Sequence, residues 1–271
     1  MSQKKYQHIT SRCFINAPWY ELKDHYLDLF VANGIQPEIG LEGLCLYEEP
    51  EKEFKRIAAI LADNNLSCTL HAPFFDLAPG ALDPEILEVS RNKLRRAFAL
   101  IEIFKPKSIV CHLNFETNKQ GYKWEGWKPS ALETWKELAQ IAAKSGCLLM
   151  LENTYETSPD AHRTILSEMN SAKSGFCLDV GHLMSFSRTP WQDWLPALSP
   201  WLGQLHLHDN NGEGDQHLGL GLGNFDFPAL FEFLAVNDLH PLVTLEPHSE
   251  EDLWQALKYL DDTKLLDKMD S

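Results

Sequence analysis

Histidine, aspartate and glutamate recur along this chain at the ends of short apolar runs, a placement suited to holding a metal ion. Leu70-His71-Ala72-Pro73, Val110-Cys111-His112, Leu151-Glu152-Asn153 and Leu178-Asp179-Val180-Gly181-His182 each close such a run with a ligand-type residue. His206-Leu207-His208-Asp209 is followed by Asp215-Gln216-His217, and Leu245-Glu246-Pro247-His248 completes the series. Charged groups at the end of apolar strands are costly to bury without a partner. Imidazoles clustered with carboxylates are the ligand set of zinc, manganese and related divalent ions. A single strand-end histidine is commonly a hydrogen-bonded structural residue, and Glu152 or Glu246 alone would simply pair with a lysine or arginine. Coincidence over six successive strands is what points to a metal site. More groups are present than one site needs, so the roles of His208, Asp209 and His248 stay open. His8, His25, His162 and His240 fall away from these run ends and read as structural or surface residues.

The elements that must position these groups alternate regularly. Strands are expected near His8–Phe14, Pro37–Leu41, Ser67–His71, Ser108–His112, Cys147–Glu152, Ser174–Asp179, Leu202–His208 and Leu242–Glu246. Between them lie helical patterns over Trp19–Asn33, Glu51–Asn65, Pro84–Phe104, Ser130–Ser145, Ala161–Met169 and Phe227–Asn237, with a last helix over Glu250–Leu260. Asp83-Pro84 and Lys128-Pro129-Ser130 put proline at or near helix starts, and Ser145-Gly146 suits a helix end. Strands joined by crossover helices run parallel, and eight of them close a (β/α)₈ TIM barrel. In that fold every strand end opens on one mouth, where barrel enzymes place their chemistry. An open, doubly wound sheet would carry a glycine-rich phosphate loop after its first strand, and Asn16-Ala17-Pro18-Trp19 is unlike one.

The length of 271 residues fits one such domain, with a polar tail over residues 261–271 expected to fray. Hydrophobic residues at 44% and charged residues at 23% are an ordinary globular balance. No apolar run is long enough to span a membrane, and the N-terminus lacks a signal-peptide core, so a cytoplasmic protein is expected. The six cysteines, Cys13, Cys45, Cys68, Cys111, Cys147 and Cys177, form no CxxC pair and read as buried free thiols. A net charge of -15 gives the surface no general attraction for a phosphate backbone or anionic lipid, which counts against a nucleic-acid partner.

At the metal-type residues the chain resembles the xylose isomerase-like TIM barrel superfamily, which includes endonuclease IV of the AP endonuclease 2 family and many sugar isomerases and epimerases. The phrases carrying the resemblance are His71-Ala72-Pro73-Phe74, Leu151-Glu152-Asn153-Thr154, Leu178-Asp179-Val180-Gly181-His182, His206-Leu207-His208-Asp209 and Asp215-Gln216-His217-Leu218-Gly219. Each is weak alone, and their order together is specific. Endonuclease IV-type enzymes hold three zinc ions with nine ligands, and this sequence matches all nine. By that resemblance His71 and His112 bind the first ion, with Glu152 bridging to the second. Asp179, His206 and Glu246 complete the second, and His182, Asp215 and His217 hold the third. Such an arrangement suits hydrolysis by a metal-activated water.

The isomerase and epimerase branch instead holds one manganese or magnesium ion with groups matching Glu152, Asp179, His206 and Glu246. Its two glutamates exchange protons beside a carbonyl. That branch commonly has an arginine in the loop after the strand-seven histidine, and Asn210–Gly223 contains neither Arg nor Lys. Abasic-site DNA cleavage fits less well, because endonuclease IV follows its bridging glutamate with a small glycine-containing loop. Here the loop is Tyr155-Glu156-Thr157-Ser158-Pro159. The superfamily also includes hydrolases of non-nucleic substrates, among them amide-cleaving enzymes of corrinoid salvage. The expectation is therefore a zinc hydrolase of a small-molecule ester, phosphoester or amide, with Glu152 and Glu246 as its catalytic carboxylates.

Several other features border the expected mouth. The stretch Asn118–Lys128 mixes aromatics with lysines and suits either a lid or rim packing. Trp191, Trp194 and Trp201 are expected to fill the barrel–helix interface, with the alternative that one of them lines the pocket. Glu38 and Glu42 flank strand two, and one of them is a candidate substrate contact. Gly219-Leu220-Gly221-Leu222-Gly223 is not read as a dinucleotide motif, since no phosphate-binding helix context precedes it.

Overall fold

A computed structural model of the chain describes residues 5–269. Eight parallel strands close into a barrel in sequence order: β1 Phe14–Pro18, β2 Gln36–Gly40, β3 Thr69–His71, β4 Ser108–His112, β5 Leu148–Glu152, β6 Ser174–Asp179, β7 Leu202–Leu207 and β8 Leu242–Leu245. Pairing of Phe14 with both Gln36 and Thr244 closes the ring. The expected parallel (β/α)₈ barrel is therefore the fold. Alternate strand residues face the outer helices, where Ile39, Leu70, Ile109, Leu149, Leu151, Phe176 and Leu205 are fully buried. Trp194 is fully buried there as well, its ring stacked 6.2 Å from Phe176.

The outer helices form where apolar residues recur at helical spacing and capping residues start them. Asp83 accepts the backbone N–H groups of Glu85 (2.9 Å) and Ile86 (3.1 Å) and opens the Pro84–Ala99 helix. Gly146, at φ +74°, takes the chain out of the Trp124–Lys144 helix in a conformation that glycine adopts without steric cost. All six cysteines are buried and free. Among the described residues, no helix is long and apolar enough to cross a membrane.

The structure corrects the sequence expectation at five places. The segment expected as the first strand begins with a helical turn, Gln7–Thr10, and β1 starts only at Phe14. Tyr6, Ile9 and Cys13 recur at helical rather than alternating spacing, and Tyr6 lies 6.3 Å from Trp254 of the last long helix. Trp19–Asn33 is not one regular helix, because a π-helical turn over Leu22–Tyr26 interrupts it. Pro84–Phe104 breaks at Leu100 and resumes as Ile101–Phe104. Pro129 lies inside the Trp124–Lys144 helix instead of at its start. The tail does not fray within the described residues: the last long helix runs over Glu250–Thr263 and a short one over Leu265–Lys268. Leu265 and Leu266 are buried, and the Arg12 guanidinium pairs with Asp267, so apolar burial and an ion pair hold the segment.

Candidate metal centre

Strand ends bring the ligand-type residues together. His71, His112, Glu152 and Asp179 are the last residues of β3, β4, β5 and β6; His206 is next to last in β7, and Glu246 follows β8 directly. His182 closes a helical turn after β6, where Asp179 Oδ1 accepts its backbone N–H at 2.7 Å. Asp215 and His217 come from the loop after β7. His217 stands at φ +50°, a left-handed backbone that a side-chain-bearing residue adopts only at a cost. Its ring nitrogen Nδ1, 2.9 Å from the Glu246 carbonyl, holds it there.

Glu152 is the hub. One carboxylate oxygen lies 3.0 Å from His71 Nε2 and 3.2 Å from His112 Nε2. The other lies 3.1 Å from His182 Nδ1 and 3.5 Å from His206 Nδ1. Glu246 Oε1 is 3.0 Å from His206 Nδ1, and Asp215 Oδ2 is 3.5 Å from His182 Nε2 and 3.2 Å from His217 Nε2. Donor atoms of His71–His112–Glu152, His71–His206–Glu246, Glu152–Asp179–His182 and His208–His217–Glu246 converge within 4.8 Å in each group. Asp215 joins none of these groups, though it lies against His182 and His217.

Two observations test whether these residues fit a metal. Glu152 Oε1, Asp179 Oδ2, His206 Nδ1 and Asp215 Oδ1 are buried without a hydrogen-bond partner. Several nonetheless sit near opposite charges, so they converge on shared space without being aimed at one another. Such orphans are expensive unless a further group satisfies them. The second observation is the orientation of the rings. His71 Nδ1 meets the Ala72 carbonyl, His182 Nδ1 the Asn153 carbonyl and His217 Nδ1 the Glu246 carbonyl, each at 2.9 Å. In His71 and His217 one nitrogen is anchored while the other faces a carboxylate, which is how ligating histidines are held. In His182 the anchored Nδ1 also lies 3.1 Å from Glu152, while Nε2 faces Asp215. The residues fit divalent ions.

The electrostatics follow from this crowding. Burial alone would raise the Glu152 carboxyl, but the His112 and His206 charges beside it hold it well below its usual range. Burial pulls His112 down, whereas His217 is raised to about 9 because its bond to Asp215 and the Glu246, Asp215 and Asp179 charges together outweigh burial.

The residues left open separate clearly. Asp209 accepts backbone N–H groups from Asn210, Gly221, Gly223 and Phe225 at 2.9–3.1 Å, so it staples the glycine-rich loop and has no orphaned oxygen. His208 Nε2 lies 3.2 Å from Asp179 Oδ1, and its ring stacks on His217 at 3.8 Å. His248 stacks on the other side of His217, also at 3.8 Å, and is exposed. His8 and His240 pair with Asp261 and Asp238 on the surface, His25 is exposed, and His162 is buried beside Phe176 and Trp194.

Glu38 is not a substrate contact: it is fully buried, 3.1 Å from His206 Nε2, while Glu42 is exposed. Over Asn118–Lys128 the backbone is largely helical. Trp124 and Trp127 stack on each other at 5.5 Å and against Phe115, leaving Tyr122 exposed.

Two supporting residues escaped the sequence reading. Asn153 exchanges two 2.9 Å hydrogen bonds with the Asp179 backbone and ties β5 to β6; the Glu152-Asn153 phrase was its only signal. Glu156 accepts the N–H groups of Phe115 (3.0 Å) and Thr154 (2.8 Å), and burial pushes its carboxyl up to about 7. Nothing in the local sequence marks it as buried.

Comparison with known proteins agrees with this architecture. Over 195 residues the chain is 28% identical to the uncharacterized protein MJ1614 of Methanocaldococcus jannaschii, covering 70% of this chain and 74% of the relative. The TTHB071 protein from Thermus thermophilus, in a crystal soaked with ZnCl2, superposes with a TM-score of 0.79 at 24% identity, covering 93% of this chain and 97% of that one. A D-tagatose 3-epimerase-like protein superposes with a TM-score of 0.79 at 18% identity, covering 95% and 98%. The family model described as xylose isomerase-like TIM barrel matches residues 33–267, and the chain belongs to that family.

Proposed function

We propose that this chain is a multinuclear divalent-metal hydrolase acting on an ester, phosphoester or amide bond of a small molecule at the barrel mouth. The observation that carries the reading is the convergence of His71, His112, Glu152, Asp179, His182, His206, Asp215, His217 and Glu246, with four buried polar atoms of that set lacking a partner. Bound divalent ions, zinc foremost, would supply an activated water and charge stabilisation for the attacked and leaving oxygens. The chain's own part is to present the ligands: Glu152 reaches histidines from β3, β4 and β7 and the turn after β6, while Asp215 joins His182 to His217. Glu246, 8% exposed against 0% for Glu152, is the better placed of the two carboxylates to meet a substrate.

A second reading is a mononuclear manganese- or magnesium-dependent sugar isomerase or epimerase, with Glu152 and Glu246 as its acid–base pair. The comparisons favour it over hydrolysis, since the structure above whose name carries an activity is epimerase-like. Its four ligand positions, Glu152, Asp179, His206 and Glu246, are all at the mouth. The geometry favours the first reading, because five further ligand-type residues turn into the same space and Glu152 has no exposed face to offer a carbon-bound proton.

Elemental analysis of the purified chain, paired with solvent-deuterium exchange on a panel of ketoses and their phosphates, separates the two. Close to three zinc ions and no exchange is expected. One manganese or magnesium ion with deuterium incorporation would establish the isomerase reading instead. A duplex carrying an abasic site should remain uncut, given the net charge of -15.

A further inference from the structure

Beneath the mouth lies a second buried carboxylate. Glu38, in the middle of β2, points into the barrel and is fully buried. Its Oε2 accepts hydrogen bonds from Thr69 Oγ1 of β3 (2.8 Å), Gln204 Nε2 of β7 (2.7 Å) and Thr244 Oγ1 of β8 (3.0 Å). Ser108 of β4 in turn donates to Gln204 Oε1 at 2.6 Å, which orients that amide. With Oε2 saturated, Oε1 is left facing His206 Nε2 at 3.1 Å, with Asn16 Nδ2 at 3.5 Å beside it.

The two nitrogens of His206 therefore have different surroundings. Nε2 faces Glu38 Oε1 at 3.1 Å and the Gln204 amide nitrogen at 3.4 Å below, while Nδ1 faces Glu246 at 3.0 Å, Glu152 at 3.5 Å and Asp179 at 3.9 Å above. The two hydrogens of the Gln204 amide are taken by shorter bonds to Glu38 Oε2 at 2.7 Å and Thr244 Oγ1 at 3.0 Å, which leaves Glu38 as the partner of Nε2. Nδ1 has no hydrogen-bond partner. A carboxylate accepts and never donates, so Glu38 can bond Nε2 only when that nitrogen carries the proton. The lone pair of the ring is then confined to Nδ1.

We propose that Glu38 is a positioning residue for the metal centre: it fixes the Nε2–H tautomer and ring angle of His206, so that Nδ1 is delivered as a ligand. The proposal rests on the metal-centre reading above. It also assigns work to residues of five other strands. Asn16, Thr69, Ser108, Gln204 and Thr244 hold the Glu38 carboxylate at the one angle that serves His206. An outer carboxylate of this kind raises the basicity of a ligating imidazole, and its loss typically costs 10–100-fold in metal affinity.

The test is zinc binding by competition with a chromophoric chelator, read beside ¹⁵N NMR of histidine-labelled protein. Glu38→Gln keeps the volume and should weaken zinc binding about 10–100-fold. Thr244→Val removes one of the three bonds to Glu38 Oε2 and should weaken zinc binding by less than Glu38→Gln does. In the wild-type protein the His206 proton should reside on Nε2, a readout that holds even should Glu38→Gln fail to fold. Unchanged affinity in a folded Glu38→Gln, or a wild-type His206 protonated on Nδ1, would overturn the proposal while leaving the metal centre standing. A wild-type chain that takes up no divalent ion would overturn both.

Discussion

Glu152 at the mouth and Glu38 one layer below are equally buried, yet their surroundings differ in kind. At Glu38, Oε2 receives two hydroxyls and an amide, and Oε1 faces Asn16 and His206. Around Glu152 the neighbours are four imidazoles from β3, β4, β7 and the turn after β6, and Oε1 still lacks a bond of good geometry. A satisfied polar layer costs little and specifies structure, whereas a partly satisfied one is retained only where something else completes it. The lower carboxylate has one oxygen fully bonded, whereas the upper layer leaves ligand-type atoms without partners. Two buried histidines differ in another way: His162 sits among Phe176 and Trp194 with neither ring nitrogen hydrogen-bonded, while His206 sits among four carboxylates.

The largest effect should come from breaking the upper layer. Glu152→Ala strips the carboxylate from His71, His112 and His182, and should cost about 3–5 kcal/mol in urea unfolding, the usual result of orphaning a buried partner. The variant should also lose zinc binding. Thr69→Val in the lower layer should cost only about 1 kcal/mol, as for a single hydrogen bond, and keep zinc. Equal losses in the two variants would erase the distinction drawn between the layers.

His162 offers an effect of similar size with a pH signature. Burial lowers its imidazole to about 4, so the folded state takes up its proton later than the unfolded chain does. The stability it contributes is complete above the unfolded value near 6.5 and is lost as pH falls toward 4. His162→Phe should remove this loss, becoming less acid-sensitive than wild type by about 3 kcal/mol between pH 7 and pH 4. Parallel melting curves across that range would show the expectation to be wrong.

A smaller effect is expected at Gly181. A Cβ there would lie 1.8 Å from His208 Cε1, so Gly181→Ala must push His208 off Asp179 and disturb its stack on His217. The cost should be about 1–3 kcal/mol, as for other overpacked sites, with weaker zinc binding as the sharper readout. Asp83→Ala should have the smallest effect. It removes a helix cap whose bonds go to Glu85 and Ile86 and to none of the metal-type residues, so it should lower stability by about 1 kcal/mol and leave metal content unchanged.

Much of this was legible before folding was considered. Apolar runs of strand length ending in His71, His112, Glu152, Asp179 and His206 carry their own geometry, because parallel strands of a barrel share one direction and their ends share one mouth. Local patterns were less reliable where helical and alternating spacing compete. Tyr6, Ile9 and Cys13 lie in a segment read as strand that turns out to open as helix, and Leu265 and Leu266 lie in a tail that tertiary burial secures.

The ligand types and their convergence at the strand ends were determined by the sequence alone, since residue identity and strand period are local properties. Tertiary structure decided which nitrogen of each histidine faces inward, which acids are satisfied, and which are left waiting. Those outcomes depend on partners drawn from distant strands. Glu38 meets Thr244 across 206 residues, Asp209 meets the loop as far as Phe225, and His206 receives its orientation from β2 and its neighbours from β5, β6 and β8. Hydrogen-bond direction is set by three-dimensional approach, and no spacing along the chain encodes it.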